Sequence, residues 1–199
     1  MSGIRLIVGL GNPGKEHEGT RHNAGAFFVQ ALAQQAGASL KAESKFWGDM
    51  TRVTIAGQDL RLLVPTTFMN RSGKSVAAVA KFYQIAPEEI LIAHDELDIP
   101  VGQARFKQGG GHGGHNGLRD IIPQLGGNAD FHRLRIGIGH PGSAAKVSGY
   151  VLSKPSAADR ITLDQTIDDA TRALPLLLEG DAVKAMTQLH SINNAPITG

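Results

Sequence analysis

The chain has no cysteine. Disulfides, thiolate metal sites and a cysteine nucleophile are therefore excluded. It also has no serine in a nucleophile-elbow motif. No apolar run approaches the length needed to cross a bilayer. The first residues do not combine basic, apolar and small-residue cleavage segments. The expectation is a cytoplasmic protein with no membrane partner. Neither sign of charge dominates, since 20 Lys and Arg against 18 Asp and Glu leave a net +2. That balance permits a nucleic-acid partner without requiring one, so local clustering must decide.

What is present is ordinary globular material: 199 residues, 41% of them hydrophobic, enough for one well-buried core. Ile4–Gly9 reads as a short strand buried on both faces. Asn23–Gly37 reads as a helix, with Asn23 able to cap its start and Gly37 its end. Trp47–Ile55 and Leu60–Pro65 read as strands paired about Ala56–Gly57–Gln58. Ser72–Tyr83 and Asn116–Leu125 read as helices, and Ile90–Ala93, Gln103–Lys107 and Leu134–Gly139 as strands. Ser156–Leu178 carries a helical apolar stripe that Pro175 should kink or interrupt. A last helix follows from Ala182 to about Leu189. No repeat or linker is visible. The order predicts one α/β domain over residues 1–199, a mixed twisted β-sheet flanked by α-helices, with the helices from about 156 part of it.

Two glycine motifs invite a nucleotide-binding reading. Gly9, Gly11 and Gly14 have G-x-G-x-x-G spacing, but Gly19 breaks any early helix and the helical pattern begins only at Asn23. No acid stands near Gln34 to hold a ribose. Gly73–Lys74–Ser75 follows a strand, but a Walker loop would need glycine where Phe68 stands. Both nucleotide readings fail.

Unusual polar groups cluster after the strands, where sites gather in open α/β sheets. They are Asn12 and "TRHN" (20–23) after the first strand, Asn70 after Pro65, Asp95 after Ile92, and His115 and Asn116 in "GGGHGGHNG" (109–117). If these ends converge, the inventory suits hydrolysis by activated water. A histidine takes the proton, an aspartate fixes its tautomer and asparagine amides hold water and oxyanion. Other readings stay open. His22 is also a natural surface or cap residue. His94, Asp95 and Asp98 could form a metal cluster or a solvated turn. The bare amides of Gly109, Gly110, Gly111, Gly113, Gly114 and Gly117 could bind phosphate ahead of a helix. The segment Gly139–Leu152, small and flexible in composition, could be a lid or a passive loop.

"GLGNPGKEHEGTRHNAG", "PTTFMNRSG", "HDELDIPVG", "GGGHGGHNGLRDI" and "FHRLRIGIGHPG", in this order, closely resemble the bacterial peptidyl-tRNA hydrolases. The resemblance runs from Ile4 to about Leu152. It implies a metal- and cofactor-independent α/β monomer that cuts the ester joining a peptide to the terminal ribose of tRNA, recycling tRNA from peptides dropped early. It implies His22 as base, Asp95 as its partner, and Asn12, Asn70 and Asn116 as positioning amides. Phe68, Met69 and His115 would line the peptide side, and Arg105, Lys107 and Arg135 would hold tRNA. His17 departs from the family's usual Tyr near the site, and Arg105 from its common Lys. A non-catalytic module holding an acceptor stem is the alternative.

Overall fold

An apolar tetrapeptide buried on both sides forms the centre of the molecule. The computed structural model describes residues 3–196, so the outermost ends of the expected 1–199 domain lie outside the described residues. Strand β1 (Leu6–Gly9) is the middle of a seven-stranded sheet. It pairs in parallel with β4 (Gln58–Pro65) on one side and β5 (Ile90–Glu96) on the other. The parallel run continues to β7 (His132–Gly137). Antiparallel strands extend both flanks: β3 (Gly48–Ile55) and β2 (Lys41–Glu43) beyond β4, and β6 (Ala104–Gln108) beyond β7. The sheet is mixed, as the sequence order predicts.

Alternation along β1 divides the core. Ile7 packs with α1 (Ala24–Gln35), α5 (Ala157–Leu178) and α6 (Ala182–His190) on one face. Leu6 and Val8 pack with α2 (Ser72–Tyr83) and α3 (Asn116–Gln124) on the other. Burying each such side chain is worth about 1.5–3 kcal/mol. Helix α6 also covers the β6 edge, where His190 Nε2 accepts the Phe106 N–H at 3.0 Å. An edge strand so covered cannot template pairing with another chain.

Two local expectations need correction. Asn23 does not cap α1; its carboxamide turns back to the β1 loop instead. Pro175 does not interrupt α5. It stands in the last turn, where it forgoes one i→i−4 hydrogen bond with few turns left to disrupt, and its carbonyl still accepts from Glu179 at 2.9 Å. Packing of Leu174, Leu177 and Leu178, all buried, holds that turn in place. The segment Gly139–Leu152, read as a loop, contains a short helix, α4 (Val147–Val151).

The first glycine motif has a structural task. A Cβ on Gly25 would lie 2.1 Å from the Ala93 carbonyl oxygen, and one on Gly9 would lie 2.3 Å from that of Gly25. Helix α1 thus rests on β1 and β5 main chain to main chain, an approach open only to glycine. Because β1 has successors on both sides, the crevice at its carboxyl end is the topological switch point of the sheet.

Candidate active site

The carboxyl ends of β1, β4 and β5 meet at that switch point, and the glycine loop after β6, whose own end lies at the far edge of the sheet, returns to it with His115 and Asn116. They enclose a cleft of about 530 Å³, lined by Asn12, His22, Phe68, Met69, Asn70, Asp95, His115 and Asn116 among others. Leu97, Gly113, Gly114 and the α4 residues Val147, Ser148 and Val151 complete the walls.

At its floor is Asp95, the penultimate residue of β5 and 4% exposed. Its Oδ2 lies 2.9 Å from His22 Nδ1, and its Oδ1 lies 2.8 Å from His115 Nε2. The tautomers follow from what surrounds each ring. His115 is the N-cap of α3, and its Nδ1 accepts the backbone N–H groups of Gly117 (3.1 Å) and Leu118 (3.4 Å). The proton of its neutral ring is therefore on Nε2, aimed at Asp95. His22 likewise donates Nδ1–H to the carboxylate, which leaves Nε2 as its basic nitrogen in the cleft. Burial alone would raise the pKa of Asp95, but the two histidines hold it well below the ordinary carboxylate range. Burial pushes His22 down, yet the charge and hydrogen bond of Asp95 outweigh it, so its pKa lies above the usual 6.5.

This arrangement answers two open readings. Of the glycine amides that could bind phosphate, the one at the start of α3, Gly117, is taken by the His115 ring, Gly114 donates to His112 Nδ1 and Gly109 to the Phe131 carbonyl. The imagined metal set does not assemble, since His94 is buried with Nδ1 donating to the Asp95 carbonyl at 2.9 Å while Asp98 is exposed. Among the described residues the side chains near enough to share an ion are His22, Asp95 and His115. The His115 tautomer directs an N–H, not a lone pair, at that point, so hydrogen bonds account for the cluster. Burial, with His115 and Arg133 nearby, lowers His94 to about 3 and keeps it neutral.

The amides around the base are oriented too. Asn12 Oδ1 accepts the Met69 N–H at 2.6 Å. The Asn12 backbone is clamped by Asn23, whose Oδ1 accepts its N–H at 2.8 Å and whose Nδ2 donates to its carbonyl at 3.0 Å. Asn12 lines the cleft, and the Met69 bond engages its Oδ1 rather than its Nδ2. Asn116, also in the lining, accepts from Arg119 through Oδ1 at 3.2 Å. His17 lies outside the lining, edge-on to Phe68 with ring centroids 6.3 Å apart.

The basic residues gather on one face of β6 and β7. The register sets Arg105 opposite Arg135 and Lys107 opposite Arg133. Arg105 and Lys107 are exposed. Arg135 pairs with Glu96 at 3.0 Å. Arg133, absent from the sequence-derived set, is buried and donates to the carbonyls of Gly110 and Gly111, bracing the glycine loop. Its signal was the alternation Arg133–Leu134–Arg135–Ile136, which places both arginines on one face.

Comparison with known proteins gives one answer. The sequence profile of the family described as peptidyl-tRNA hydrolase matches residues 6–196. The peptidyl-tRNA hydrolase of Pectobacterium atrosepticum is 60% identical, the match covering 98% of this chain and 100% of that protein. That of Sodalis glossinidius is 62% identical over 94% and 97%. The crystal structure of the Acinetobacter baumannii peptidyl-tRNA hydrolase superposes with a TM-score of 0.94 at 56% identity, over 98% of each chain.

Proposed function

The chain belongs to the peptidyl-tRNA hydrolase family, and we propose that its cleft cuts the ester between peptide and terminal ribose with His22 as the general base. It is a hydrolase of peptidyl-tRNA. His22 Nε2 takes a proton from water as the water oxygen bonds to the ester carbonyl carbon. Asn12 and Asn116, whose Oδ1 atoms are already engaged, donate through Nδ2 to the developing oxyanion, and Asn70 lines the same cleft. The imidazolium, stabilised by Asp95, returns its proton to the ribose oxygen as the carbon–oxygen bond breaks. Peptide and free tRNA leave. No step calls for a metal or cofactor. We place this work in the cytoplasm, on a single chain, recycling tRNA from prematurely released peptides.

The observation that carries this reading is the ionised Asp95 between two histidine donors. A module that merely held an acceptor stem would have no use for it. Purified protein incubated with labelled peptidyl-tRNA should release peptide, with or without EDTA. Binding without release would overturn the reading, and loss of turnover with chelator would return the metal alternative.

Phosphate contacts position a substrate without reading its sequence, and their strength falls with salt. Arg105→Ala and Lys107→Ala should raise KM for peptidyl-tRNA and reduce its salt slope by roughly one contact each. A short N-blocked aminoacyl nucleoside ester should be cleaved as before. Arg135→Ala should impair both substrates, because it frees half-buried Glu96, the neighbour of Asp95. Equal effects of all three variants on both substrates would contradict a tRNA-anchoring role for Arg105 and Lys107.

A further inference from the structure

The residue next to the base has an unusually full set of partners. The Arg21 guanidinium donates to the Tyr150 carbonyl at 3.1 Å, the Ser153 carbonyl at 3.3 Å and Ser153 Oγ at 2.5 Å. Its backbone N–H donates to the Ser153 carbonyl at 3.0 Å. Its plane covers the Tyr150 ring, 4.0 Å from the centroid. Both carbonyls lie at the carboxyl end of α4, where orphan acceptors favour a cation. The far side of Tyr150 is fixed as well, its hydroxyl donating to the Ile138 carbonyl.

Apart from Arg21, helix α4 is held by Val151 in the core and by Val147 and Tyr150 packed at the core's margin. Between Pro141 and Leu152 only Val151 is buried, and most of the remaining residues are exposed. Such a stretch opens locally at low cost unless something holds it. Yet Val147, Ser148, Val151 and Leu152 line the same cleft as Phe68 and Met69. The wall they form is largely apolar and lies apart from the cations of β6 and β7, so it suits the peptide and not the phosphates.

We propose that Arg21 is a positioning residue that fixes the peptide-side wall relative to His22. One residue ties the wall to the catalytic turn, so wall and base move as one body. The proposal rests on the hydrolase reading above. Arg21 touches neither water nor ester; it acts through α4. Its loss should weaken the hold on substrate in proportion to the peptide length lying against the wall.

The test measures kcat and KM for wild type, Arg21→Ala and Arg21→Lys. The substrates are tRNA carrying one N-blocked amino acid and tRNA carrying a tetrapeptide. For Arg21→Ala, KM for the tetrapeptide substrate should rise about tenfold and that for the single residue about twofold. Arg21→Lys, which keeps a cation at the helix end, should recover part of the difference. Should Arg21→Ala fail to accumulate as folded protein, Tyr150→Leu, which removes the stacking face, should give the same asymmetry at about threefold. Equal losses of kcat on both substrates with KM unchanged mean a smaller folded fraction and overturn the proposal. So does an equal rise in KM on both. Failure of wild type to cleave either substrate would refute the hydrolase reading instead.

Discussion

Asp95→Asn is expected to lower kcat by about 10²–10⁴-fold. The reason is a conflict of donors. Asp95 accepts from both His22 and His115, whereas a carboxamide offers one acceptor oxygen and one donor NH₂. His115 cannot yield, because Gly117 and Leu118 donate to its Nδ1 and keep the proton on Nε2. The amide oxygen therefore goes to His115 and the NH₂ faces His22 Nδ1. His22 must then carry its proton on Nε2, and the nitrogen that should accept from water becomes a donor. The pH dependence should change as well. In the wild type, Asp95 raises the His22 pKa, so the acid limb of kcat/KM lies above 6.5. Without that charge, burial alone acts and the limb moves to lower pH. Rate profiles between pH 5 and 9 check both points. Activity within tenfold of wild type on an unmoved limb would remove Asp95 from this role.

His22→Asn should produce a loss of similar size, confined to kcat. The base acts in the transition state and does not hold the ground state, so KM should hardly change. The acid limb assigned to His22 should vanish from what activity is left. The fold should persist with a melting temperature lower by a few degrees, since Asp95 retains His115 as donor and loses one hydrogen bond. Single-turnover rates and circular dichroism of the variant measure these quantities. Turnover close to wild type in folded protein would require another base.

Much of this architecture was legible before the structure, and the reasons are local. The helix over 72–83 has the predicted ends because its apolar period is regular and its neighbours are turns. The buried strands at 6–9 and 90–93 announce themselves by short apolar runs, and β5 continues three polar residues further, through His94, Asp95 and Glu96, because it pairs with β7 there. Strand β2 was missed because three exposed residues carry no period. Among site residues, the sequence separates polar groups at strand ends from those elsewhere, and the structure brings together Asn12, His22, Asn70, Asp95, His115 and Asn116. It does not reveal what each partner does. His115 was read as lining and is the second donor to Asp95. Asn23 was read as a cap and clamps Asn12. Both functions depend on how a loop folds back on its neighbour, over 11 and 20 residues of sequence, which no helical or strand period encodes.

The seating of α1 on bare backbone at Gly9 and Gly25 bears on how this enzyme can change. His22 lies two residues before that helix, and Asp95 two residues after Ala93, on which Gly25 rests. The spacing of the two therefore depends on peptide units in mutual contact, whose dimensions are the same in every protein. Core side chains elsewhere can be exchanged for larger or smaller ones, and the sheet can relax around them, while the reacting pair keeps its gauge. A lineage carrying this fold is accordingly free to drift in its interior and held fast at two positions that bear no side chain at all.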